Sequence, residues 1–369
     1  MAAHLPGSSI RGLEVTPIRL ELTEPFAIAT GAPDAAQNVV VRIELDDGTV
    51  GLGEAAPFEA VTGETQRSTL DALDRVRELV LGADARAWRK LAAGLYDVAA
   101  EAPAARCAVE QAVLDACSRR AGLSIAELVG GRGEQLESDV TITAGSIEHA
   151  RDSAARWSQK GFSTLKIKVG ARPFREDADR VEAVATAAPG AHLLLDANGG
   201  YDADQALALL AELRKRNIEV RLFEQPVPAL DLDGLTRVSK EGNVTVCADE
   251  SVKTAADVVR IARRDAAGAV NLKITKSGVA ETIAMWHVAE AAGLFRMIGG
   301  MVEAELAMTF SAHLASGLGG FAFVDLDTPL FLRESPFSGG LAYEGARIVL
   351  PSGTGIGVRF EPHPPTPSP

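Results

Sequence analysis

Two lysines interrupt a stretch that otherwise has the composition of a buried strand. Residues 164–170 read TLKIKVG, and their apolar and β-branched side chains predict a strand that ends at Gly170. Side chains two positions apart in a strand point to the same face, so Lys166 and Lys168 are expected to lie side by side. Neighbouring positive charge favours the neutral form of an amine, which suits a general base. The alternative is an exposed edge strand, in which lysines oppose aggregation.

Acidic residues stand at the ends of the next three predicted strands. The segments LLLDANGGY, LFEQPVP and VCADES each run from apolar residues into an acid and then a turn. These acids are Asp196, Glu224 and Asp249. Three carboxylates that converge on one rim require a cation, and Mg²⁺ prefers oxygen ligands while it keeps open positions for substrate. A single acid of this kind has the alternative of a strand-end cap, but the set predicts one Mg²⁺ site.

Lysines flank the three acidic strands on both sides. Lys168 precedes them, and Lys273 ends the strand that follows them. The two amines are expected to face each other across the rim, which suits removal of a proton from one face of a carbon and delivery to the other. A solvated lysine has a pKa near 10.4, so a nearby divalent cation would be needed to lower it. Mg²⁺ beside a substrate carboxylate would stabilise the resulting enolate.

A repeat of strand and helix from about residue 138 onward must position these residues. Eight strands separated by helices are typical of a (β/α) barrel. An open doubly wound sheet is the competing architecture, but the glycine-rich phosphate turn that it usually contains is absent. We predict barrel strands at 140–143, 164–169, 193–196, 221–224, 245–248, 269–273, 295–298 and 322–325, with helices at 202–216, 254–264 and 280–292.

The preceding part of the chain has the pattern of an α+β unit. Alternating apolar and polar residues predict strands, with a hairpin turn at Asp46-Asp47-Gly48, and amphipathic helices follow. We predict strands at 15–22, 39–45 and 50–53, loops at 25–38 and 55–63, and helices at 65–81, 87–99 and 104–121.

The domain organisation follows from these two patterns. We predict a capping domain at 12–130, a catalytic barrel at 138–335, and a C-terminal segment at 340–360 that returns to the cap. In that segment, 348–350 and 353–357 are predicted to pair as a hairpin. The proline-rich sequence of 361–369 predicts a disordered tail.

Composition excludes several classes of protein. The chain has 369 residues, of which 47% are apolar, enough for a barrel and a companion domain. A net charge of −13 argues against nucleic-acid binding. No apolar run is long enough to span a membrane, and no signal peptide is recognisable. Three cysteines without metal-ligand spacing indicate neither a disulfide framework nor a zinc site. A cytoplasmic location is therefore expected.

These motifs resemble the enolase superfamily, specifically its muconate-lactonizing-enzyme subgroup, over nearly all of residues 15–360. The resemblance implies an α/β fold, namely a (β/α)7β TIM-like barrel with an N-terminal α+β capping domain that a C-terminal segment completes. It also implies one Mg²⁺ per subunit, for which Mn²⁺ substitutes, and a homo-oligomer. In such enzymes the residue at Lys166 helps to hold the substrate carboxylate, and residues at Asn198 and Asn271 support the metal ligands.

One further motif is similar to that of dipeptide epimerases, whose best-known branch acts on L-Ala-D/L-Glu. Gly320–Leu332 contains Asp325 and Asp327, which match the paired acids that bind the free α-ammonium of a dipeptide. Two carboxylates facing one cavity suit an ammonium ion. A loop pair of solvated acids is the alternative. The segment GGMVEAELA also resembles these epimerases and implies substrate contacts for three residues, Gly300, Met301 and Glu303.

The capping loops depart from the L-Ala-D/L-Glu branch. An arginine that pairs with the glutamate substrate in that branch is replaced by Gly31, and residues 25–37 contain no Arg or Lys. Ile28, Gly31, Phe58 and Glu59 are the expected contacts with the second side chain of the dipeptide. They predict a small-molecule substrate, an L,L-dipeptide whose second residue is hydrophobic or cationic and not acidic.

Several alternative functions stay open at this point. Muconate cycloisomerase, o-succinylbenzoate synthase and N-acylamino acid racemase resemble the chain in metal ligands and lysines, but they do not need Asp325 and Asp327. A non-catalytic binding protein would have no reason to retain the lysines and acids together. A Schiff-base aldolase using Lys273 is disfavoured by the three strand-end acids.

Overall fold

The computed structural model describes residues 7–25 and 34–361. The predicted substrate contacts Ile28 and Gly31 lie outside the described residues, as does the predicted disordered tail from residue 362 onward. No helix in the described ranges combines the length and the apolar character that crossing a bilayer requires.

An antiparallel sheet opens the chain, as the alternating pattern predicts. Its strands are β1 (Ile10–Glu21), β2 (Ala35–Leu45) and β3 (Val50–Ala55), in the order β1-β2-β3. The predicted hairpin turn joins β2 to β3, with Gly48 at φ 86°. Residues 35–38 belong to β2 and not to the predicted loop, because their backbone pairs with β1.

Helices then cover one face of this sheet. The long predicted helix at 65–81 is divided at Val76, and the predicted loop at 55–63 contains a single helical turn. Helix ends carry the expected caps, for example the side chains of Thr65 and Ser68, which each accept a hydrogen bond from the other's backbone. The helices are α1 (Glu59–Thr62), α2 (Gln66–Arg75), α3 (Arg77–Val80), α4 (Trp88–Val98), α5 (Pro103–Ala121) and α6 (Ile125–Val129), with a 3₁₀ turn at Ala85–Ala87.

Helix α5 packs directly on β3 because two glycines allow the backbones to meet. A Cβ atom on Gly53 would lie 2.0 Å from the carbonyl oxygen of Ala108, and one on Gly51 would lie 2.0 Å from that of Ala112. No side chain fits at that distance, so the close packing of sheet and helix depends on glycine at both positions.

Eight parallel strands among the described residues form the second sheet, in the order β12-β11-β10-β9-β8-β7-β6-β5. The strands are β5 (Val140–Ile142), β6 (Thr164–Lys168), β7 (His192–Asp196), β8 (Leu222–Glu224), β9 (Thr245–Ala248), β10 (Ala269–Leu272), β11 (Phe295–Ile298) and β12 (Phe323–Val324), preceded by β4 (Leu136–Glu137). The sheet curls so that its two outer strands meet. Next to this junction, the backbone N–H of Asp139 donates to Val324 O at 2.8 Å. The (β/α) barrel is thereby confirmed.

Helices connect the successive parallel strands. They bury apolar stripes against the barrel, where the largest hydrophobic cluster of the protein lies. The helices are α7 (Ile147–Gln159), α8 (Phe174–Ala187), α9 (Ala203–Lys215), α10 (Leu232–Glu241), α11 (Ala255–Arg264), α12 (Ile274–Ser277), α13 (Val279–Ala291) and α14 (Glu305–Leu318).

The C-terminal segment does not form the predicted hairpin of 348–350 with 353–357. Its strands are β13 (Phe337–Gly339), β14 (Ala342–Glu344), β15 (Arg347–Val349) and β16 (Val358–Phe360). β15 pairs with β14 and with β4, and β16 pairs with β13. The connection at 353–357 instead runs along the end of α5, where Ile356 N donates to Asp115 Oδ1 at 2.7 Å. The prediction was wrong because β14 and β4 already pair with the two edges of β15, so residues 353–357 have no free edge to join.

The N-terminal unit is held on the barrel by buried carboxylates at helix N-termini. Glu54 of β3 accepts hydrogen bonds from Ala304 N at 2.9 Å and Ala307 N at 3.0 Å, at the start of α14. Glu110 of α5 accepts one from Ala280 N at 2.7 Å, at the start of α13. A carboxylate suits this position because the first N–H groups of a helix have no partner in the helix itself. The domain bounds at 12–130, 138–335 and 340–360 stay a prediction.

The contact between β3 and α5 predicts the effect of one added methyl group. Replacing Gly53 by alanine should lower the free energy of unfolding by about 1–3 kcal/mol or more, because overpacking forces the helix away from the sheet. The measurement is urea-induced unfolding followed by circular dichroism. Gly12→Ala is the matched control, since its Cβ would make an ordinary contact of 3.5 Å with Glu44. Equal stability of the two variants would contradict this account.

Candidate active site

Strand register brings the predicted functional side chains together at one end of the barrel. Lys168 of β6 is paired with Asp196 of β7, which is paired with Glu224 of β8. Asp249 is the first residue after β9, and Lys273 is the first after β10. All five residues are buried. The carboxyl ends of five neighbouring parallel strands therefore contribute to a single cluster.

Lys166 occupies the centre of this cluster. Its Nζ lies 2.7 Å from Asp325 Oδ2, 2.7 Å from Glu224 Oε2 and 3.3 Å from Asp196 Oδ2. The residue is only 1% exposed, which excludes the edge-strand alternative for this part of the chain. One lysine thus links the strand-end acids to the acid at the end of β12.

The two flanking lysines each contact one of the strand-end acids. Lys168 Nζ lies 2.6 Å from Asp196 Oδ2, and Lys273 Nζ lies 2.8 Å from Asp249 Oδ2. β6 and β10 are separated by three strands in a sheet of eight, so the two amines approach from opposite sides of the barrel. This is the arrangement that the sequence predicts for two amines facing each other.

Lys276 is a further buried lysine to which the sequence analysis assigned no role. Its Nζ contacts Asp249 Oδ1, donates to Asp249 O at 2.7 Å, and lies 3.1 Å from Asn271 O. It belongs to the single turn α12, one turn after Lys273. The sequence signal for Lys276 was its spacing of three residues from Lys273, which places both amines on one side of a helical turn.

The lysines determine the charge of the acids. Desolvation raises the pKa of Asp196, but Lys168 and Lys166 outweigh it and lower that pKa to about 2. Desolvation likewise raises the pKa of Asp249, and the ammonium group of Lys273 more than reverses the effect, so this pKa lies well below its usual range. Both carboxylates are therefore ionised at neutral pH.

The acids in turn favour the charged form of the lysines. Desolvation lowers the pKa of Lys273, but Asp249 and Glu224 outweigh it, and the pKa lies above its usual value. The same balance, with Asp325 as the main acid, raises the pKa of Lys166. The lowered pKa that the sequence predicts for a lysine base is therefore not produced at Lys273 by the protein groups. It requires additional positive charge, such as a divalent cation, beside the acids.

The carboxylates of Asp196, Glu224 and Asp249 fit a divalent cation in their chemistry. They form an all-oxygen ligand set, which Mg²⁺ prefers. Glu224 Oε2 and Asp249 Oδ2 are buried and face ammonium groups, at 2.7 Å from Lys166 Nζ and 2.8 Å from Lys273 Nζ. Buried carboxylate oxygens that are compensated by positive charge are suited to a cation.

Two asparagines donate hydrogen bonds to acids of this cluster. Asn271 Nδ2 donates to Glu224 Oε1 at 2.7 Å. The backbone N–H of Asn198 donates to Asp196 Oδ1 at 3.0 Å, and its side chain donates to Glu250 Oε1 at 3.1 Å. Glu250 was not predicted as part of the site, because the acid directly before it, Asp249, is the predicted ligand. Desolvation, with the nearby acids, raises the pKa of Glu250 to about 7.

Asp325 and Asp327 lie across the barrel from the strand-end acids. Asp327 Oδ2 accepts a hydrogen bond from Thr141 N at 2.6 Å, so this carboxylate takes part in joining β12 to β5. Desolvation and the charge of Asp325 raise the pKa of Asp327 to about 7. Lys166 outweighs desolvation at Asp325 and lowers its pKa. The two acids are buried and thus are not a solvated loop pair.

A cavity lies above these groups, between the barrel and the N-terminal unit. Its walls are polar on the barrel side and apolar toward α1 and the loop after β11. The lining residues are Phe58, Val61, Thr141, Lys168, Asn198, Lys273, Gly300, Met301, Val302, Asp325, Asp327 and Thr328.

Not every predicted substrate contact lines this cavity. Glu59 is exposed on the first turn of α1. Glu303 lies behind the wall, where Oε1 accepts hydrogen bonds from Met301 N and Thr275 Oγ1, both at 2.9 Å. Gly300 and Met301 therefore line the cavity directly, while Glu303 stabilises the loop that contains them.

The apolar wall has contacts from both parts of the molecule. Asn38 of β2 donates to Val302 O at 3.0 Å, which ties the loop after β11 to the N-terminal sheet. Lys253, in the loop after β9, donates from Nζ to Val61 O at 3.0 Å. Phe58, Val61 and Val302 are therefore positioned by hydrogen bonds that cross between sheet and barrel.

An ion-pair network behind β6 fixes the strand end that carries Lys168. Arg180 donates from Nη1 to Lys168 O at 2.7 Å and to Asp177 Oδ1 at 2.9 Å, and from Nη2 to Thr143 O at 3.0 Å. Asp177 Oδ2 accepts from Gly170 N at 2.9 Å. Arg180 is 2% exposed, so the network is fully inside the protein. Asp177 and Arg180 lie on α8, and no sequence motif indicated that they would form this network.

Comparison with known sequences gives matches over both parts of the chain. A sequence model described as mandelate racemase/muconate lactonizing enzyme, N-terminal domain, matches residues 11–130, and one described as enolase C-terminal domain-like matches residues 149–363. The aromatic dipeptide epimerase of Herpetosiphon aurantiacus is 49% identical over 353 residues, which make up 96% of this chain and 99% of that protein.

Two solved structures carry ligands in the corresponding fold. A substrate-liganded complex of the L-Ala-D/L-Glu epimerase from Bacillus subtilis superposes with a TM-score of 0.93 at 31% identity, over 96% of this chain and 100% of that chain. The dipeptide epimerase of Enterococcus faecalis, complexed with Mg and the dipeptide L-Leu-L-Tyr, gives a TM-score of 0.91 at 31% identity, over 95% and 99%.

The network behind β6 predicts a large loss of stability when its cation is removed. Arg180→Met should lower the free energy of unfolding by about 3–5 kcal/mol, because Asp177 is left buried and unpaired. Arg172→Met is the control, since Arg172 pairs with Glu176 on an exposed face and should contribute about 0.5 kcal/mol or less. Urea-induced unfolding of both variants is the measurement. A loss below about 1 kcal/mol for Arg180→Met would contradict a structural role for the network.

Proposed function

The chain belongs to the mandelate racemase/muconate lactonizing enzyme family of enolase-like proteins, and from this premise we propose that it epimerises L,L-dipeptides at their C-terminal residue. The proposed reaction is a Mg²⁺-dependent 1,1-proton transfer between two lysines, Lys168 and Lys273. The single observation that carries the proposal is that these opposed lysines and the acid pair Asp325 and Asp327 line one cavity. A cytoplasmic location and a homo-oligomeric state stay predictions.

The two lysines have the placement that inversion of a carbon centre needs. A neutral amine on one side accepts the α-proton as the C–H bond breaks, and the ammonium group on the other side donates a proton to the opposite face. The number of protons is unchanged, and no oxidant or reductant is required. Lys168 and Lys273 come from strands on opposite sides of the barrel, which supports one base for each face.

A divalent cation would be held by Asp196, Glu224 and Asp249. When bound, Mg²⁺ supplies positive charge that stabilises the negative charge developing on the substrate and lowers the pKa of nearby lysines. The solved structure of the Enterococcus faecalis dipeptide epimerase is a complex with Mg. Lys166 lies among the same acids, where its ammonium group can pair with a substrate carboxylate.

The free amino group of the dipeptide is proposed to bind at Asp325 and Asp327. Both acids line the cavity, and an ammonium ion between two carboxylates gains charge-assisted hydrogen bonds. Cycloisomerases, o-succinylbenzoate synthases and N-acylamino acid racemases of the family act on substrates without such a group. The acid pair therefore favours a peptide with an unmodified N-terminus.

The second side chain of the dipeptide is proposed to be hydrophobic. Phe58, Val61, Met301 and Val302 form the apolar wall of the cavity, and the exposed Glu59 does not reach it in the described structure. This wall favours the hydrophobic class over the cationic class that the sequence left open. The name of the Herpetosiphon aurantiacus relative, aromatic dipeptide epimerase, agrees with this choice.

The roles of the two bases can be tested one lysine at a time. Lys168→Ala and Lys273→Ala should each abolish epimerisation, because one face of the carbon loses its proton carrier. Each variant should still exchange the α-proton of one epimer with solvent, and the two variants should differ in which epimer exchanges. Incubation of L-Ala-L-Phe and L-Ala-D-Phe in D₂O with Mg²⁺, followed by mass spectrometry, measures both reactions.

Lys215→Ala is the matched control for this experiment, since that lysine is 75% exposed and lies on α9. It should retain wild-type rates, and chelation of the metal should stop all variants. The two-base proposal is wrong if either active-site variant epimerises normally. It is also wrong if one variant exchanges both epimers at wild-type rates.

Substrate choice provides an independent test of the cavity. We expect kcat/KM for L-Ala-L-Phe to exceed that for L-Ala-L-Glu at least about tenfold, because an unpaired carboxylate would be desolvated against an apolar wall. N-acetylation of L-Ala-L-Phe should reduce kcat/KM by about 10- to 150-fold, the equivalent of about 1.5–3 kcal/mol for a lost hydrogen bond to a charged group. A preference for L-Ala-L-Glu would overturn the assignment of the apolar wall.

A further inference from the structure

Asp139 is a buried acid that has no role in the proposed epimerisation. It lies directly before β5 and is only 2% exposed. One carboxylate oxygen from each of Asp139, Asp325 and Asp327 lies within 4.8 Å of the other two. Asp139 is therefore a third carboxyl group at the acid pair, positioned on the side away from the cavity.

The three acids differ in their hydrogen-bond partners. Asp325 is paired with Lys166 at 2.7 Å, and Asp327 accepts from Thr141 N at 2.6 Å. Neither oxygen of Asp139 accepts a hydrogen bond from any residue that the structure describes. An ionised carboxylate that is buried without donors is strongly unfavourable, whereas a protonated one needs only an acceptor. The neighbouring carboxylates supply such an acceptor.

The charge balance of the barrel interior points the same way. Among the described residues, the site contains four buried lysines and seven buried acids, an excess of three negative charges. The proposed Mg²⁺ would reduce that excess to one, and a zwitterionic dipeptide adds no net charge. The remaining excess of negative charge favours the protonated form of one of these acids. The lysines are Lys166, Lys168, Lys273 and Lys276, and the acids are Asp139, Asp196, Glu224, Asp249, Glu303, Asp325 and Asp327.

We propose that Asp139 is a positioning residue that carries this proton and donates it in a hydrogen bond to the acid pair of Asp325 and Asp327. The proposal rests on the proposed function, since it deepens the recognition of the dipeptide ammonium group. Burial and the charge of Asp325 raise the pKa of Asp139, which agrees with the protonated form. Asp139 thereby orients the pair without adding a third negative charge behind it.

Two substitutions distinguish a proton donor from an ionised acid. Asp139→Asn keeps a donor of the same size, so kcat and KM for L-Ala-L-Phe should stay within about threefold of wild type. Asp139→Leu removes the donor, and KM should rise by about 10- to 100-fold with kcat changed much less. Under this assignment, N-acetyl-L-Ala-L-Phe, which lacks the ammonium group, should lose little or nothing in the leucine variant.

The protonation state can be measured without any substrate. The infrared difference spectrum between wild type and Asp139→Asn should show the loss of a carbonyl band of a protonated carboxylic acid. Asp115→Asn is the control for removal of a buried carboxyl group elsewhere, because Asp115 lies on α5, where it accepts a hydrogen bond from Ile356 N. That control should leave the KM for L-Ala-L-Phe unchanged. Thermal unfolding of each variant verifies that it is folded.

The outcomes separate this inference from the proposed function. If no dipeptide is epimerised, the proposed function fails, while the infrared band still tests the proton on Asp139. Loss of a carboxylate band in place of the carbonyl band overturns the inference. Asp139 would then be ionised, with water in the cavity of about 90 Å³ at the other end of the barrel as its donor. A KM for Asp139→Asn as high as that of Asp139→Leu, or no effect of Asp139→Leu, overturns it as well.

Discussion

Charge compensation inside the barrel mouth is the constraint on which the rest of the structure depends. Lysines flank and contact the strand-end acids, and these buried charges are tolerable because opposite charges lie within contact distance. The acids hold the protons on Lys166 and Lys273, so Lys273 becomes a base only when further positive charge enters the cluster. A cation that binds to Asp249 necessarily weakens the attraction between that carboxylate and Lys273. In the proposed mechanism, occupation of the metal site and activation of the base are thus physically coupled.

The same kind of interaction attaches the N-terminal unit to the barrel. Glu54 and Glu110 place carboxylates at the starts of two barrel helices, where unpartnered N–H groups stabilise them. Desolvation nevertheless raises the pKa of each of them to about 7. The contact of Glu54 with Ala304 N fixes β3 to the loop after β11, which carries part of the apolar wall. The shape of the apolar wall, and hence the choice of substrate side chain, therefore depends on how the sheet docks on the barrel.

The sequence predicted the barrel and the grouping of its strand-end residues because both follow from local patterns. An apolar run that ends in an acid and a turn is visible without tertiary information, and parallel strands bring such ends together. The partners of the C-terminal strands were not predictable in this way, because pairing of β15 with β4 joins residues more than 200 positions apart. Lys276 was missed because it lies on a helical turn. Asp139 was missed because it precedes its strand, whereas barrel chemistry is sought at the strand end.

Lys166 shows why recognition of the substrate and its chemistry are difficult to separate in this site. Its ammonium group is shared between Asp325, on the proposed ammonium side, and Glu224, on the proposed metal side. A substrate ammonium at Asp325 offers that acid a second cation and loosens its contact with Lys166. The lysine is then freer to pair with a substrate carboxylate near the metal ligands. A dipeptide, whose ammonium and carboxylate groups are separated by one peptide unit, has the charges to act at both places at once. An N-acylated amino acid could act at only one of them.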